Sequence, residues 1–161
     1  MNADIIVKRF IEDAGSTTQS FGLGRVVGQL YAFLYFSPAS RNLADMQDAL
    51  GISKGSASTA VRQLEQWGAV RKVWVKGDRK DYYEACDWFG RILRNAVVDT
   101  FGKTMSSYGM LLQEIEGDLA ALEGRGDGNG EFIRGRIDSL KQFQQRAQGI
   151  LDHPIVREIL K

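Results

Sequence analysis

Residues 42–85 read NLADMQDALGISKGSASTAVRQLEQWGAVRKVWVKGDRKDYYEA. Asn42 is a strong N-cap for a helix over residues 43–50, and Asp45 in its first turn suits the positive end of the helix dipole. Gly51 is the residue type that ends a helix in the left-handed conformation. Ser53 then caps a second helix, predicted to run to Trp67, with Gly68 closing it. Met46, Leu50, Ile52, Ala57, Ala60, Val61 and Leu64 form one inward set, and the small Ala57 and Ala60 permit a close crossing of the two helices. After Gly68 the pattern changes. Val70, Val73 and Val75 with Trp74 predict a strand, Tyr82 and Tyr83 belong to a second, and the cationic stretch 76–80 joins them as a hairpin turn. Two capped helices crossing over a fixed turn, followed by a basic hairpin, define a helix-turn-helix with a wing. Such a unit is expected to set one helix into a groove of double-stranded DNA.

Working outward, residues 4–13 carry Ile5, Ile6, Phe10 and Ile11 on one face, which predicts a short helix ended by Gly15 and the polar run 16–20. A second helix is expected over residues 21–36, stopped by Ser37-Pro38. Gly22, Gly24 and Gly28 lack the spacing and the preceding strand of a phosphate-cradling loop. Gly24 and Gly28, one turn apart, instead suit the close approach of another helix. From about Asp87 a helix of roughly 35 residues, or about 50 Å, is predicted. Phe101, Met105, Tyr108, Leu112, Ile115, Leu119 and Leu122 alternate spacings of four and three along it, a heptad seam. After a glycine-rich loop a second helix repeats the alternation in Ile133, Ile137, Leu140, Gln144, Ala147 and Leu151. Gly102 and Gly109 beside the first seam would admit a close neighbour. Such a hairpin has more apolar surface than it can bury against itself, so a homodimer is expected. The fold class is therefore mainly α with a small β wing. An N-terminal helical arm (1–20), a winged helix-turn-helix domain (21–86) and a C-terminal helical dimerisation region (87–161) divide the chain.

Composition narrows the function. The content of 43% hydrophobic and 25% charged residues is that of an ordinary globular protein, and the apolar run at 30–36 is too short to cross a bilayer. A cytoplasmic protein is expected, without membrane partners. The net charge of +1 hides a local bias: residues 51–80 hold seven cations against two anions, an excess of +5. The single cysteine, Cys86, lies between Glu84 and Asp87, which disfavour the thiolate that a redox sensor needs. With His153 as the only histidine there is no material for a histidine metal cluster or a histidine-dependent triad. Asp127, Asn129 and Glu131 imitate the start of a calcium loop, but Phe132 stands where glycine is needed. The Arg125-Gly126-Asp127 triplet is short enough to occur by chance. No enzyme, metal or cofactor is expected.

The stretches 51–58, 64–70 and 73–84, with Phe21-Gly22-Leu23-Gly24-Arg25 and the helix at 28–35, resemble the MarR superfamily of bacterial regulators, and within it the GbsR-like branch. Gln47, where many helix-turn-helix proteins carry alanine, is a mild departure. The resemblance implies a homodimer whose terminal helices pair and whose two winged domains read a near-palindromic operator. It also implies a repressor released by a small-molecule effector, of the choline or betaine kind in this branch. Candidate DNA-binding residues are Ser53, Lys54, Gly55, Ser56, Ser58, Thr59, Arg62 and Gln63 on the recognition helix, and Lys76, Arg79 and Lys80 on the wing. Tyr31, Phe33, Tyr35, Phe36, Trp88, Phe89 and Tyr108 offer rings that could cage a quaternary ammonium, although packing alone accounts for such a stripe. A winged-helix adaptor that binds protein in place of DNA is the alternative.

Overall fold

The computed structural model describes residues 3–122 and 129–155. Its elements are α1 (Ala3–Ser20), α2 (Arg25–Tyr35), β1 (Arg41–Asn42), α3 (Leu43–Leu50), α4 (Lys54–Gln66), β2 (Val70–Val73), β3 (Tyr82–Ala85), α5 (Phe89–Leu122) and α6 (Gly130–Asp152). The chain divides into two units, 1–96 and 97–161.

In the first unit the caps fall where the sequence places them. The Asn42 side chain accepts from the amides of Ala44 (2.9 Å) and Asp45 (3.1 Å). Asp45 accepts in return from the Asn42 amide at 3.0 Å, which completes a capping box. Gly51 ends α3 at φ 63°, and the Ser53 hydroxyl accepts from the Ser56 amide at 3.1 Å to start α4. Between these ends Met46 and Ala57 are both 0% exposed, and Ala60, Val61 and Leu64 are buried beside them. Leu30 and Leu34 of α2 complete this core, with Trp67, Ala69, Val70 and Tyr83, while Leu50 and Ile52 pack at its edge. The sheet runs in the order β1-β3-β2, antiparallel throughout, with Lys72 opposite Tyr83 and Val73 opposite Tyr82. Strand β1, which has no sequence signal of its own, pairs Arg41 with Tyr83 and Asn42 with Tyr82. The resulting arrangement of helices with a small three-stranded sheet is a winged helix.

Helix α1 corrects the expected stop at Gly15, since it continues to Ser20. The hydroxyls that suggested a loop are folded back onto the helix. Ser16 donates to Glu12 O at 3.1 Å, Thr18 reaches Ala14 O at 3.0 Å and Gly24 O at 2.8 Å, and Ser20 donates to Thr17 O at 2.7 Å. Gly15 lies where α2 crosses: a Cβ would stand 2.6 Å from Gln29 Cγ. Helix α2 is correspondingly shorter than the expected 21–36, because Gly22 (φ 75°) and Gly24 (φ 93°) turn the chain before it begins. Gly24 thus serves the turn. Gly28 serves the close approach, where a Cβ would meet Ala14 O and Thr18 Oγ1, each at 2.3 Å. Glu12 ties the pair of helices together, forming an ion pair with Arg25 and accepting from the buried Gln29 amide at 2.9 Å. Strand β2 ends at Val73, short of the expected Val75. The start of α5 is fastened by Asn95, which donates to Trp67 O at 3.0 Å, and by the indole of Trp88, which donates to Gly68 O at 2.8 Å.

In the second unit, α5 and α6 run antiparallel. Gln144 donates to Met105 O at 3.0 Å near one end, and Lys141 pairs with Glu116 at 2.6 Å further along. Gly109 faces Gln144, where a Cβ would stand 3.1 Å from its amide nitrogen, while Gly102 has open space around it. The predicted seam is only half used within the chain. Leu112 and Ile137 are buried and Met105, Ile115 and Leu119 half-buried, whereas Phe101, Tyr108, Ile133 and Leu140 are exposed. The side chains of Leu122 and Leu151 lie outside the described residues, as do the Arg125-Gly126-Asp127 triplet and most of the expected last helix. His153 does accept from the Ile155 amide at 3.2 Å, in the manner of a cap.

Gly28→Ala is expected to destabilise the protein by about 2–3 kcal/mol through overpacking. Gly117→Ala, with nothing near the new methyl, is expected to be stabilising by up to about 1 kcal/mol. Urea unfolding of the two variants measures both, and equal midpoints would contradict the tight crossing.

Candidate nucleic-acid interface

Because Ala57, Ala60, Val61 and Leu64 occupy the inner face of α4, the residues between them are turned outward. Lys54, Gly55, Ser56, Thr59 and Arg62 are exposed, as is Ser53 at the cap, and Ser58 and Gln63 are half-buried. The Ser53 hydroxyl, besides capping, donates to Ser56 Oγ at 2.9 Å. Helix α4 therefore presents a small, polar leading edge: two hydroxyls, a glycine and the first-turn amides, a surface that a phosphate can approach closely.

The wing turn is held by one carboxylate. Asp78 accepts from the Lys80 amide at 3.0 Å and from the Tyr82 hydroxyl at 2.8 Å. These bonds, that from the Lys80 amide foremost, hold its carboxyl below the usual carboxylate range. Gly77, at φ 86°, allows the reversal. Lys76, Arg79 and Lys80 are all exposed on this turn.

The cations of residues 51–80 fall into two groups. Arg71 forms an ion pair with Glu84 directly across the β2–β3 ladder, and Lys72 pairs with Asp81 at 2.8 Å. Both have pKa values raised by these hydrogen-bonded partners. Lys54, Arg62, Lys76, Arg79 and Lys80 make no ion pair among the described residues. Two of the seven cations are thus neutralised by anions of β3 and the loop before it, and five remain on α4 and the wing turn.

Two hollows adjoin these elements within the first unit. One, of about 510 Å³, lies between the start of α2 and the outer side of α4, with Gly24, Arg25, Gly55, Ser56, Thr59 and Gln63 in its walls. The first turn of α2 has no side-chain cap there. Sequence reasoning missed this neighbour of the recognition helix, since nothing local to α2 signals that its start abuts α4. The other hollow, of about 590 Å³, is almost wholly apolar. Phe10, Val27, Tyr35, Trp67, Phe89 and Leu93 line it, and Asp13 is its one charged residue.

The aromatic residues singled out from the sequence divide around this second hollow. Tyr31, Tyr35 and Phe89 border it and pack on one another, with ring centroids 5.4 to 6.4 Å apart. Phe33, Phe36 and Trp88 are not in its walls. Phe36 packs edge-on to Phe10 at 5.1 Å, and the Trp88 face is covered by Arg91 at 5.1 Å. Tyr108 belongs to the second unit. Cys86 is buried, and burial pushes its thiol up; Arg71 opposes this, while Glu84 and Asp87 add to it. The described residues hold no cluster of three or more potential metal ligands, and none of their helices is long and apolar enough to span a membrane.

No family model matches the chain. It is 24% identical over 115 residues, 71% of its length, to the HTH-type transcriptional repressor OpcR of Bacillus subtilis, and 28% identical over 109 residues, 68% of its length, to the repressor GbsR of the same organism. It is 32% identical over 84 residues, 52% of its length, to the HTH-type transcriptional regulator MmpR5 of Mycobacterium tuberculosis. The matched stretches span 62%, 60% and 51% of these three relatives. A crystal structure described as a transcriptional regulator superposes with a TM-score of 0.59 at 22% identity, over 96% of this chain and 99% of its own. That likeness shows the winged-helix fold, and the relatives place the chain beside helix-turn-helix transcriptional regulators.

Tyr31 links α2 to the end of β3, its hydroxyl donating to Cys86 O at 2.6 Å. Burial, then the neighbouring Tyr35, Cys86 and Asp87, push this phenol up to about 12. The native state therefore favours the protonated form. Its contribution is whole below the ordinary tyrosine value of about 10, and is lost as pH rises through about 12. Burial raises the Tyr83 phenol as well, so in an alkaline absorbance titration two tyrosines should ionise late, and Tyr31→Phe should remove one of them from the late step and cost about 1 kcal/mol of stability at neutral pH. A late step of undiminished amplitude in the variant would refute the assignment.

Proposed function

We propose that the protein is a DNA-binding transcriptional regulator, a repressor of the MarR superfamily and its GbsR-like branch, acting as a cytoplasmic homodimer. The observation that carries this reading is the division of the cations. Those near β3 are neutralised by Glu84 and Asp81, whereas Lys54, Arg62, Lys76, Arg79 and Lys80, on the outward face of α4 and on the wing turn, make no ion pair among the described residues. A solvated face needs no such division; a polyanion partner does. In this reading α4 lies in the major groove. Ser53, Gly55, Ser56 and the helix-start amides meet phosphate, while Lys54, Ser58, Thr59, Arg62 and Gln63 face base edges. Arg79 enters the adjacent minor groove, with Lys76 and Lys80 on its phosphates. The exposed half of the α5 and α6 seams, Phe101, Tyr108, Ile133 and Leu140 among them, supports pairing of two copies through their C-terminal regions, 87–161. Residues 1–20 then form an arm on the winged domain, 21–86.

The apolar hollow supports an effector that releases DNA. Its aromatic walls and the single carboxylate of Asp13 suit a small organic cation of the choline or betaine kind. No catalytic constellation is needed for any of this, and the reading is non-enzymatic.

Mobility-shift titration against a duplex selected by the protein from a random-sequence pool tests the reading. Arg62→Ala is expected to cost about 1–3 kcal/mol and relax selection at one base position. Lys76→Ala should weaken all sequences alike and flatten the salt slope by about one. Choline or glycine betaine at millimolar concentration is expected to release the bound duplex, and indifference to both would remove them as effectors. Failure to select any duplex, with protein captured instead, would favour a winged-helix adaptor.

A further inference from the structure

The wing carries an apolar group that the charge pattern does not account for. Trp74 is 80% exposed, the most open of the large apolar side chains among the described residues. The other exposed large apolar residues lie on or beside α1, α2, α5 and α6; between residues 37 and 87 Trp74 is alone among the described residues. It therefore stands apart from the apolar residues on which the proposed pairing of two copies draws.

Its orientation follows from its neighbours. Val73 and Val75 are half-buried, and Trp74 between them is turned out, on the side taken at alternate positions by the exposed Lys72 and Lys76. The backbone there is held. Asp78 N–H donates to Val75 O at 3.2 Å, and the Asp78 carboxylate fastens the turn to Lys80 and Tyr82. An indole thus projects from a held backbone beside a turn whose Lys76, Arg79 and Lys80 make no ion pair among the described residues.

We infer that Trp74 is an apolar anchor of the wing on double-stranded DNA, its ring lying against deoxyribose at the edge of the minor groove. This rests on the DNA-binding reading and adds to it a contact that salt does not screen. The partner chemistry follows from scale. A stable protein interface buries on the order of 800 Å² per partner, whereas one indole offers about 150–250 Å², and cations surround it. A single apolar wedge amid cations meets the needs of a groove, where charge neutralises phosphate and the ring covers sugar or base. Because deoxyribose is common to all sequences, the contact raises affinity without adding base preference.

The experiment uses the full chain and a duplex of about 30 base pairs that it selects from a random pool. Trp74→Ala is expected to bind that duplex about tenfold more weakly with an unchanged salt slope, whereas Trp74→Phe keeps most of the affinity. In a Trp88→Phe background, which removes the other exposed indole, acrylamide should quench a large part of the free protein's tryptophan emission, since Trp67 is buried, and duplex should protect that part. Equal affinity of wild type and Trp74→Ala, or a ring still quenched in the complex, overturns the anchor and leaves the DNA reading intact. Protection that grows with protein concentration in the absence of DNA assigns the ring to a protein contact and overturns it too. If the wild-type chain selects no duplex, both inferences fall together. Should Trp74→Ala fail to fold, the Phe variant and the quenching measurement decide.

Discussion

The crossing of α3 and α4 is the constraint on which the first unit depends. It brings Met46 and Ala57 to complete burial, and the capping box at Asn42, the left-handed Gly51 and the Ser53 cap determine where each helix begins and ends. With the ends set, a residue's position along α4 decides whether it faces core or solvent. Ala57, Ala60, Val61 and Leu64 face the core, and Lys54, Ser56, Thr59 and Arg62 face out. The outward set has little freedom of its own, because rotating the helix to bury any of it would expose the apolar face. The geometry of the candidate interface is a by-product of packing behind it.

Electrostatics refines that geometry. The β2–β3 register sets Arg71 opposite Glu84, so a cation of the sheet is neutralised at once, and Lys72 finds Asp81 in the same hairpin. The wing turn is organised by Asp78 through a backbone amide and a tyrosine hydroxyl, and Lys76, Arg79 and Lys80 form no ion pair among the described residues. A turn held by a single carboxylate, with its cations left over, is a stable scaffold for a positive tip. Surface pairs of this kind contribute little to stability. What they do is direct charge: it is removed beside the sheet and kept on α4 and the turn.

Much of this was legible in the sequence because the decisive signals are local. Caps, a left-handed glycine and the spacing of Met46, Ala57, Val61 and Leu64 are read within a turn or two of chain, and the structure places them as expected. Where the reading failed, the determinant lies elsewhere in the chain. Gly15 and the run 16–20 look like a helix stop, but their hydroxyls bond back to helix carbonyls and Gly15 fits against Gln29. Strand β1 exists only because Tyr82 and Tyr83 lie beside it, and the hollow between α2 and α4 is a meeting of two helix starts 29 residues apart. The seams of α5 and α6 were readable as apolar, yet no periodicity says how much of a seam one chain can bury; Leu112 and Ile137 are covered, and Phe101 and Leu140 are not.

The proposed function thus rests on two copies of an outward helix and a cationic turn held at one spacing. Hydroxyl-radical footprinting of the protein on its selected duplex examines both features in one profile. Two protected half-sites centred about one helical turn apart, roughly 10 base pairs, each with protection extending into the neighbouring minor groove, are the result expected. A single protected half-site, or a duplex cleaved evenly along its length, would contradict a paired reading head.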